Sequence, residues 1–196
     1  MAQRLQLKIV LDYLKPVIWR RVVVDDDLTF LQLHQVIQAA MGWEDCHMHE
    51  FELVSPTVRI GTPEPGGFGG LPGMDDATLP ERKTRLADVL AGKRKFRYWY
   101  DFGDDWWHTV SIEKRLPADP AAPPAQLLAG ECACPPEDCG GPPGYADMME
   151  ILAVPDHPER EELRDWLGDF DPAVFDLAGC AKAVARVVRP RKARTG

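Results

Sequence analysis

Two runs that alternate aromatic or apolar residues with polar ones, Lys95 to Asp101 and Trp106 to Leu116, are separated only by Phe102-Gly103-Asp104-Asp105. A period of two on both sides of so short a link predicts an antiparallel hairpin with an acidic turn. The alternation puts Trp106, His108, Val110 and Ile112 on one face and Trp107, Thr109 and Ser111 on the other. A chain committed to this hairpin must supply a sheet for it to join.

The rest of the first 116 residues supplies that sheet. Residues 5–12 and 17–24 are apolar and β-branched, and Lys15-Pro16 breaks them, so both read as strands. Met48 to Val54 and Thr57 to Ile60 read the same way. Between them Thr29 to Met41 reads as a helix. Thr29 and Gln32 form a capping box, and Gly42 supplies the stop. Phe30, Leu33, Val36, Ile37, Ala40 and Met41 share one face, which leaves His34 off it as a solvated residue. Thr84 to Leu90 suits a short helix. Thr62 to Pro80 is rich in Gly and Pro and has no periodicity, so it reads as a long loop.

After residue 116 the pattern changes. Residues 117–141 form a Pro- and Cys-rich connector. Residues 142–188 read as three helices: Gly144 to Ala153, Pro158 to Leu167, and Pro172 to Val188 behind an Asp171 cap. Residues 189–196 are a basic tail. The expected fold is therefore one α+β domain over 1–196. A mixed or antiparallel sheet is packed with a helix from the N-terminal half and a C-terminal group of three helices.

Composition narrows the setting. The chain is 45% hydrophobic, which argues against global disorder, and no apolar run reaches membrane-spanning length. The first residues, MAQRLQLKIVLDYL, lack the pattern of a signal peptide. Five cysteines, an odd number, then point to reduced thiols and a cytoplasmic protein. The net charge of −8 opposes general binding of nucleic acid. The local exception is Ala181 to Gly196, with six basic residues and no acidic ones. It reads either as a solvated terminus or as a phosphate-contacting arm.

Two segments carry the distinctive chemistry. In the hairpin turn, Asp101, Asp104 and Asp105 repel one another unless backbone N–H groups, water or a cation compensates. Their spacing does not match an EF-hand loop. His108 is either a buried neutral imidazole or a metal ligand at the sheet rim. The second segment, Cys132 to Gly141, has the spacing C-x-C-x4-C around Pro135-Pro136. Its thiols suit zinc if a distant pair joins them from Cys46, His47, His49 or His108. Alternatively it is a rigid loop with small cysteines buried beneath it and with Glu137 and Asp138 solvated or capping a helix. His47 and His49, two apart on an expected strand, can chelate one metal or simply flank the strand.

Four blocks carry a resemblance. They are Leu33 to Trp43, His47 to Phe51, Tyr100 to His108 and Ala133 to Gly141, and Phe170 to Asp176 fits as well. Over residues 5–180 the chain resembles the Ri-plasmid ORF-three-like proteins, also described as insertion-element passenger TnpR-family proteins. The resemblance implies a compact α+β domain of plasmids, mobile elements and bacterial chromosomes, and it assigns no activity. The chain does not resemble a serine recombinase. Where family members often carry an Asn in the final helix, this chain has Gly179-Cys180. The family block does not include Cys132. The resemblance therefore narrows the zinc ligands to Cys134 and Cys139 with His49 and His108.

Three functions follow as expectations. The first is a non-catalytic binding or interaction module with a protein partner. The second is a zinc-dependent hydrolase or nuclease, with Asp101, Asp104, Asp105, Glu137 or Asp138 as catalytic carboxylates. The third is a nucleic-acid-associated protein acting through the basic tail and aromatics such as Trp99. Trp106, Trp107, Tyr100 and Glu50 are the candidates for contacting a ligand or partner.

Overall fold

The computed structural model describes residues 3–54, 56–62 and 78–188. Most of the expected Thr62 to Pro80 loop and the basic tail lie outside the described residues.

The chain opens with β1 (Gln3–Leu11) and β2 (Trp19–Asp25), followed by α1 (Phe30–Met41), β3 (His49–Leu53), β4 (Val58–Gly61) and β5 (Leu79–Pro80). A short α2 (Leu86–Val89) precedes β6 (Lys95–Tyr100), β7 (Trp106–Pro117) and β8 (Ala125–Glu131). Three helices complete it: α3 (Gly141–Ala153), α4 (Arg160–Leu167) and α5 (Leu177–Val187). The described strands form one mixed sheet in the order β5-β4-β3-β6-β7-β1-β2-β8. All neighbours are antiparallel except β4 and β5. The α+β expectation holds. No described helix is long and apolar enough to cross a membrane.

The hairpin forms as its alternation dictates. Tyr100 pairs with Trp106 and Tyr98 with His108. Phe96, Tyr98, Tyr100, Trp106, His108 and Val110 all face inward and are buried. The central strands alternate in the same way, so Leu5, Leu7, Ile9, Phe51 and Val22 join one apolar layer. Helix α1 closes over that layer. Its capping box is complete, with Thr29 Oγ1 accepting from Gln32 N and Gln32 Oε1 accepting from Thr29 N. It ends at Gly42 in the left-handed region, φ 94°, where a glycine avoids the Cβ clash.

Three expectations change. His34 is fully buried rather than solvated. It lies one turn from both Phe30 and Gln38, at the flank of the apolar stripe, and the chain after α1 folds back across that flank. The 117–141 connector contains β8, which pairs with β2 at the sheet edge. Its sequence, AQLLAGE, has no β-branched or aromatic residue, so pairing and cover from α5 decide its conformation rather than propensity. Finally, the last helix begins at Leu177 instead of Pro172. Asp176 is its cap, accepting from Gly179 N at 2.9 Å, while Asp171 caps only a local turn. Just before that start, the Phe175 ring stacks on the buried Arg20 guanidinium at 3.7 Å.

Candidate functional site

The sequence blocks that looked distinctive meet at one end of the sheet. Trp43, just past α1, donates its Nε1–H to Pro135 O at 2.9 Å and stacks on Tyr100 at 4.8 Å. Glu44 N donates to Glu137 Oε1 at 2.9 Å, and the Tyr100 hydroxyl donates to the same oxygen at 2.9 Å. Gly140 N donates to Asp104 Oδ2 at 3.0 Å. Gly141, φ +68°, lies directly on the Asp104 carbonyl, where a Cβ would collide with it. The Cys-Pro-Pro loop is thus pinned to the hairpin turn through backbone and side-chain bonds.

The turn organises its own carboxylates. Asp101, φ +53°, is nearly buried, and its Oδ1 accepts from Gly103 N at 2.9 Å and Asp104 N at 3.2 Å. Asp105 accepts from Trp107 Nε1 at 2.8 Å. Backbone donors therefore absorb much of the mutual repulsion in the turn.

His47 sits at the centre of this end. Its Nε2 is 3.1 Å from Asp138 Oδ1, 3.6 Å from Asp101 Oδ2 and 4.0 Å from Glu137 Oε2. Both His47 Nε2 and Glu137 Oε2 are buried and make no hydrogen bond among the described residues. Asp138, by contrast, is largely exposed. The ligand-type atoms of His47, Asp101 and Asp138 all lie within 4.8 Å of one another.

A second imidazole–carboxylate group lies inside the fold. His34 and His49 stack with centroids 3.4 Å apart and planes 3° from parallel. His34 Nε2 is 2.6 Å from Asp45 Oδ1, and His49 Nε2 is 2.6 Å from Glu81 Oε2. Tyr98 Oη accepts from Gln38 Nε2 at 2.9 Å and lies 2.8 Å from His34 Nδ1. One consistent assignment satisfies every group: Tyr98 donates to Nδ1, and His34 donates its Nε2–H to Asp45. Burial, with the nearby His49 adding to it, lowers the His34 pKa to about 4. Burial alone would raise the Glu81 carboxyl, but the His49 hydrogen bond outweighs it and leaves the group below its usual range.

The ligand set Cys134, Cys139, His49 and His108 is not brought together. His49 lies on β3 and His108 on β7, with β6 between them and a two-residue offset along it, so their backbones stand about 12 Å apart. His108 is fully buried, and its Nδ1 lies 3.3 Å from Tyr98 O. Burial holds its pKa near 3, so it is a neutral core residue. The Cys134 and Cys139 thiols are both pushed up by burial, Cys139 to about 12. Cys134 lies in the electrostatic reach of the buried Arg20, whose Nε donates to Ala40 O and whose Nη1 donates to Trp19 O and Glu131 O. His47 and His49 also part company, each joining a different group.

The binding candidates divide by face. Trp106 and Tyr100 point inward and are buried, so they pack the core instead of meeting a partner. Trp107 and Glu50 point outward. Trp107 stacks on Trp99 at 4.9 Å and lies under Arg97 at 3.9 Å, and Glu50 stands 3.7 Å from Arg59. Reasoning from sequence missed His34, Asp45, Glu81 and Arg20. For His47 the signal was present: an imidazole in one distinctive block, with paired acids in two others.

A single mixed sheet under one long helix, with three motif segments locked together at its end, defines the class. It is an α+β protein organised around its motif loops. Residues 3–179 match the model of the plasmid pRiA4b ORF-3-like protein family, and the chain belongs to that family. The chain is 38% identical over 187 residues to the uncharacterized protein y4hQ of Sinorhizobium fredii (strain NBRC 101917 / NGR234). That match covers 93% of this chain and 91% of the relative. It is also similar to the crystal structure of protein of unknown function MM3350 from Methanosarcina mazei Go1, with a TM-score of 0.80 and 38% identity. That likeness covers 91% of this chain and 97% of the other.

Proposed function

We propose that this chain is a non-catalytic binding module of a plasmid and mobile-element family, working in the cytoplasm, with the motif-loop end as its recognition surface. One observation carries the reading. Segments far apart in sequence are fastened to each other by Trp43 Nε1 to Pro135 O, Glu44 N to Glu137 Oε1 and Gly140 N to Asp104 Oδ2. The result is a preorganised acidic rim with Glu44, Asp105 and Asp138 exposed. A groove of about 370 Å³ runs along α1 and reaches the rim at Trp43 and Glu44, and one of about 1010 Å³ lies away from it, around Tyr13 and Lys93 to Arg97. None of His47, Asp101, Glu137 and Asp138 lines either groove, which suits docking better than turnover.

A second reading, a metal-dependent hydrolase or nuclease, is favoured by the unpartnered His47 Nε2 among carboxylates and by the exposure of Asp138. The test is turnover. Protein supplied with Mn²⁺ or Zn²⁺ is incubated with a nitrophenyl ester, a nitrophenyl phosphodiester and single- and double-stranded DNA. The binding reading expects no rate above that of Asp101→Asn. A rate that Asp101→Asn abolishes would overturn it.

Nucleic-acid association through the tail is weaker. Residues 189–196 lie outside the described residues, and Trp99 and Trp107 are already stacked on each other. Salt-sensitive DNA affinity lost on deleting residues 186–196 would restore that reading.

A further inference from the structure

We infer that the motif-loop end is a divalent metal site, with His47 Nε2, Asp101 Oδ2 and Asp138 Oδ1 as ligands and Glu137 beside them. The inference deepens the reading of this end as a recognition surface and rests on it.

The first argument is the shape of the donor set. Two ligands each about 2.1 Å from one metal stand about 3.0–3.5 Å apart. The Asp138 and Asp101 oxygens, 3.1 and 3.6 Å from His47 Nε2, lie at or close to that spacing, while Glu137 Oε2 at 4.0 Å stands beyond it. Without an ion, a 3.1 Å approach between an imidazole nitrogen and a carboxylate would ordinarily be a hydrogen bond. Here His47 Nε2 is buried and makes none.

The second argument is how the carboxylates are held. Asp101 and Glu137 each have one oxygen tied up. Asp101 Oδ1 takes Gly103 N and Asp104 N, and Glu137 Oε1 takes Glu44 N and the Tyr100 hydroxyl. In both cases the second oxygen is left towards His47, and Glu137 Oε2 is buried without a partner. Supporting hydrogen bonds that fix one oxygen and aim the other are what a metal ligand needs. The Tyr100 hydroxyl in turn accepts from Cys46 N at 3.1 Å, which ties the His47 segment to the same support.

The third argument is charge. Asp101 and Asp138 bring carboxylate oxygens within 4.8 Å of each other, where they repel, and Asp101 and the neighbouring Glu137 are largely desolvated. A divalent ion removes that repulsion. One nitrogen with two carboxylate oxygens suits Mn²⁺, Fe²⁺ or Zn²⁺. Exposed Asp138 leaves the outer side open for water or a group on a partner.

The test uses the full-length protein, untagged and stripped with chelator. Mn²⁺ is the probe because thiols bind it poorly, and uptake is read from loss of the free-ion EPR signal, with Zn²⁺ as competitor. One equivalent is expected to bind, and Zn²⁺ is expected to displace it. His47→Ala and Asp101→Asn should each weaken binding at least tenfold, Asp138→Asn several-fold, and Cys134→Ala not at all. Circular dichroism checks the fold. Asp138 is largely exposed, so Asp138→Asn decides the matter even where Asp101→Asn unfolds. No uptake, or uptake unchanged in His47→Ala and Asp138→Asn, overturns the site. That outcome leaves the recognition-surface reading to the turnover assay. Metal-dependent turnover would overturn the recognition reading while keeping the metal.

Discussion

The two imidazole–carboxylate centres are made from similar parts and share the stretch from Trp43 to Glu50, yet they are opposite in kind. Around His34 and His49, both His34 nitrogens and the His49 Nε2 have a partner, and the rings are buried against each other. Around His47, the buried nitrogen and a buried carboxylate oxygen have none. A satisfied buried network defines the packing of a core. An unsatisfied one, opening to solvent at Asp138, is where a ligand completes the coordination. The difference separates a fold-determining centre from a functional one without reference to any activity.

That contrast can be broken experimentally, and the largest effect is on pH. Folded His34 and His108 titrate near 4 and 3, against an ordinary 6.5. Between those values the unfolded chain binds more protons than the folded one, so stability falls as pH drops below about 6.5 and levels off near 3. The two groups together amount to about 8 kcal/mol at the acid limit. Urea midpoints from pH 7 to 4 check this. A flat profile would mean that the inner centre is not held neutral.

The next effect is the removal of the inner ring. His34→Ala leaves Tyr98 and Asp45 without their shared partner and opens a cavity beside His49. It should cost about 3 kcal/mol in urea unfolding and leave Mn²⁺ uptake unchanged. Loss of uptake without loss of stability would merge the two centres.

At the outer centre the order reverses. His47→Ala without metal should cost under about 0.5 kcal/mol, because the nitrogen it removes makes no hydrogen bond. The difference emerges with metal: at one hundred times the wild-type dissociation constant, Mn²⁺ should stabilise the wild type by about 2.7 kcal/mol and the variant by no more than about 1.4 kcal/mol. Thermal unfolding with and without the ion measures both.

The smallest expected change is at the strut between loops. Trp43→Phe keeps most of the stacking on Tyr100 but loses the bond to Pro135 O, at about 1 kcal/mol. It should weaken Mn²⁺ uptake only slightly, since no ligand is removed. A large loss of uptake would show that the Pro135 anchor sets the ligand geometry.

How much was legible follows from the range of each interaction. The hairpin register, the inward row Trp106-His108-Val110 and the α1 cap are written in neighbouring residues, and the structure keeps all of them. His34 looked solvated because it is a polar residue at the flank of the apolar stripe, and its burial comes from contacts beyond its own helix, with Tyr98, His49 and Asp45. β8 looked like a connector because AQLLAGE carries no strand propensity of its own. The expected His49, His108 and cysteine site failed because facing the same side of a sheet does not bring side chains together across an intervening strand.

By itself, the sequence determined the α+β class, the hairpin, the long capped helix and the blocks in which functional residues would be found. Those are consequences of period, capping and turn chemistry, which act over a few residues. Only the tertiary structure decided which histidine serves which centre. His47, His49 and their carboxylates sit close together in the chain or in similar motifs. What separates them is whether β3 carries the ring inward against α1 or the preceding bend leaves it facing the pinned loops, and no local pattern encodes that choice.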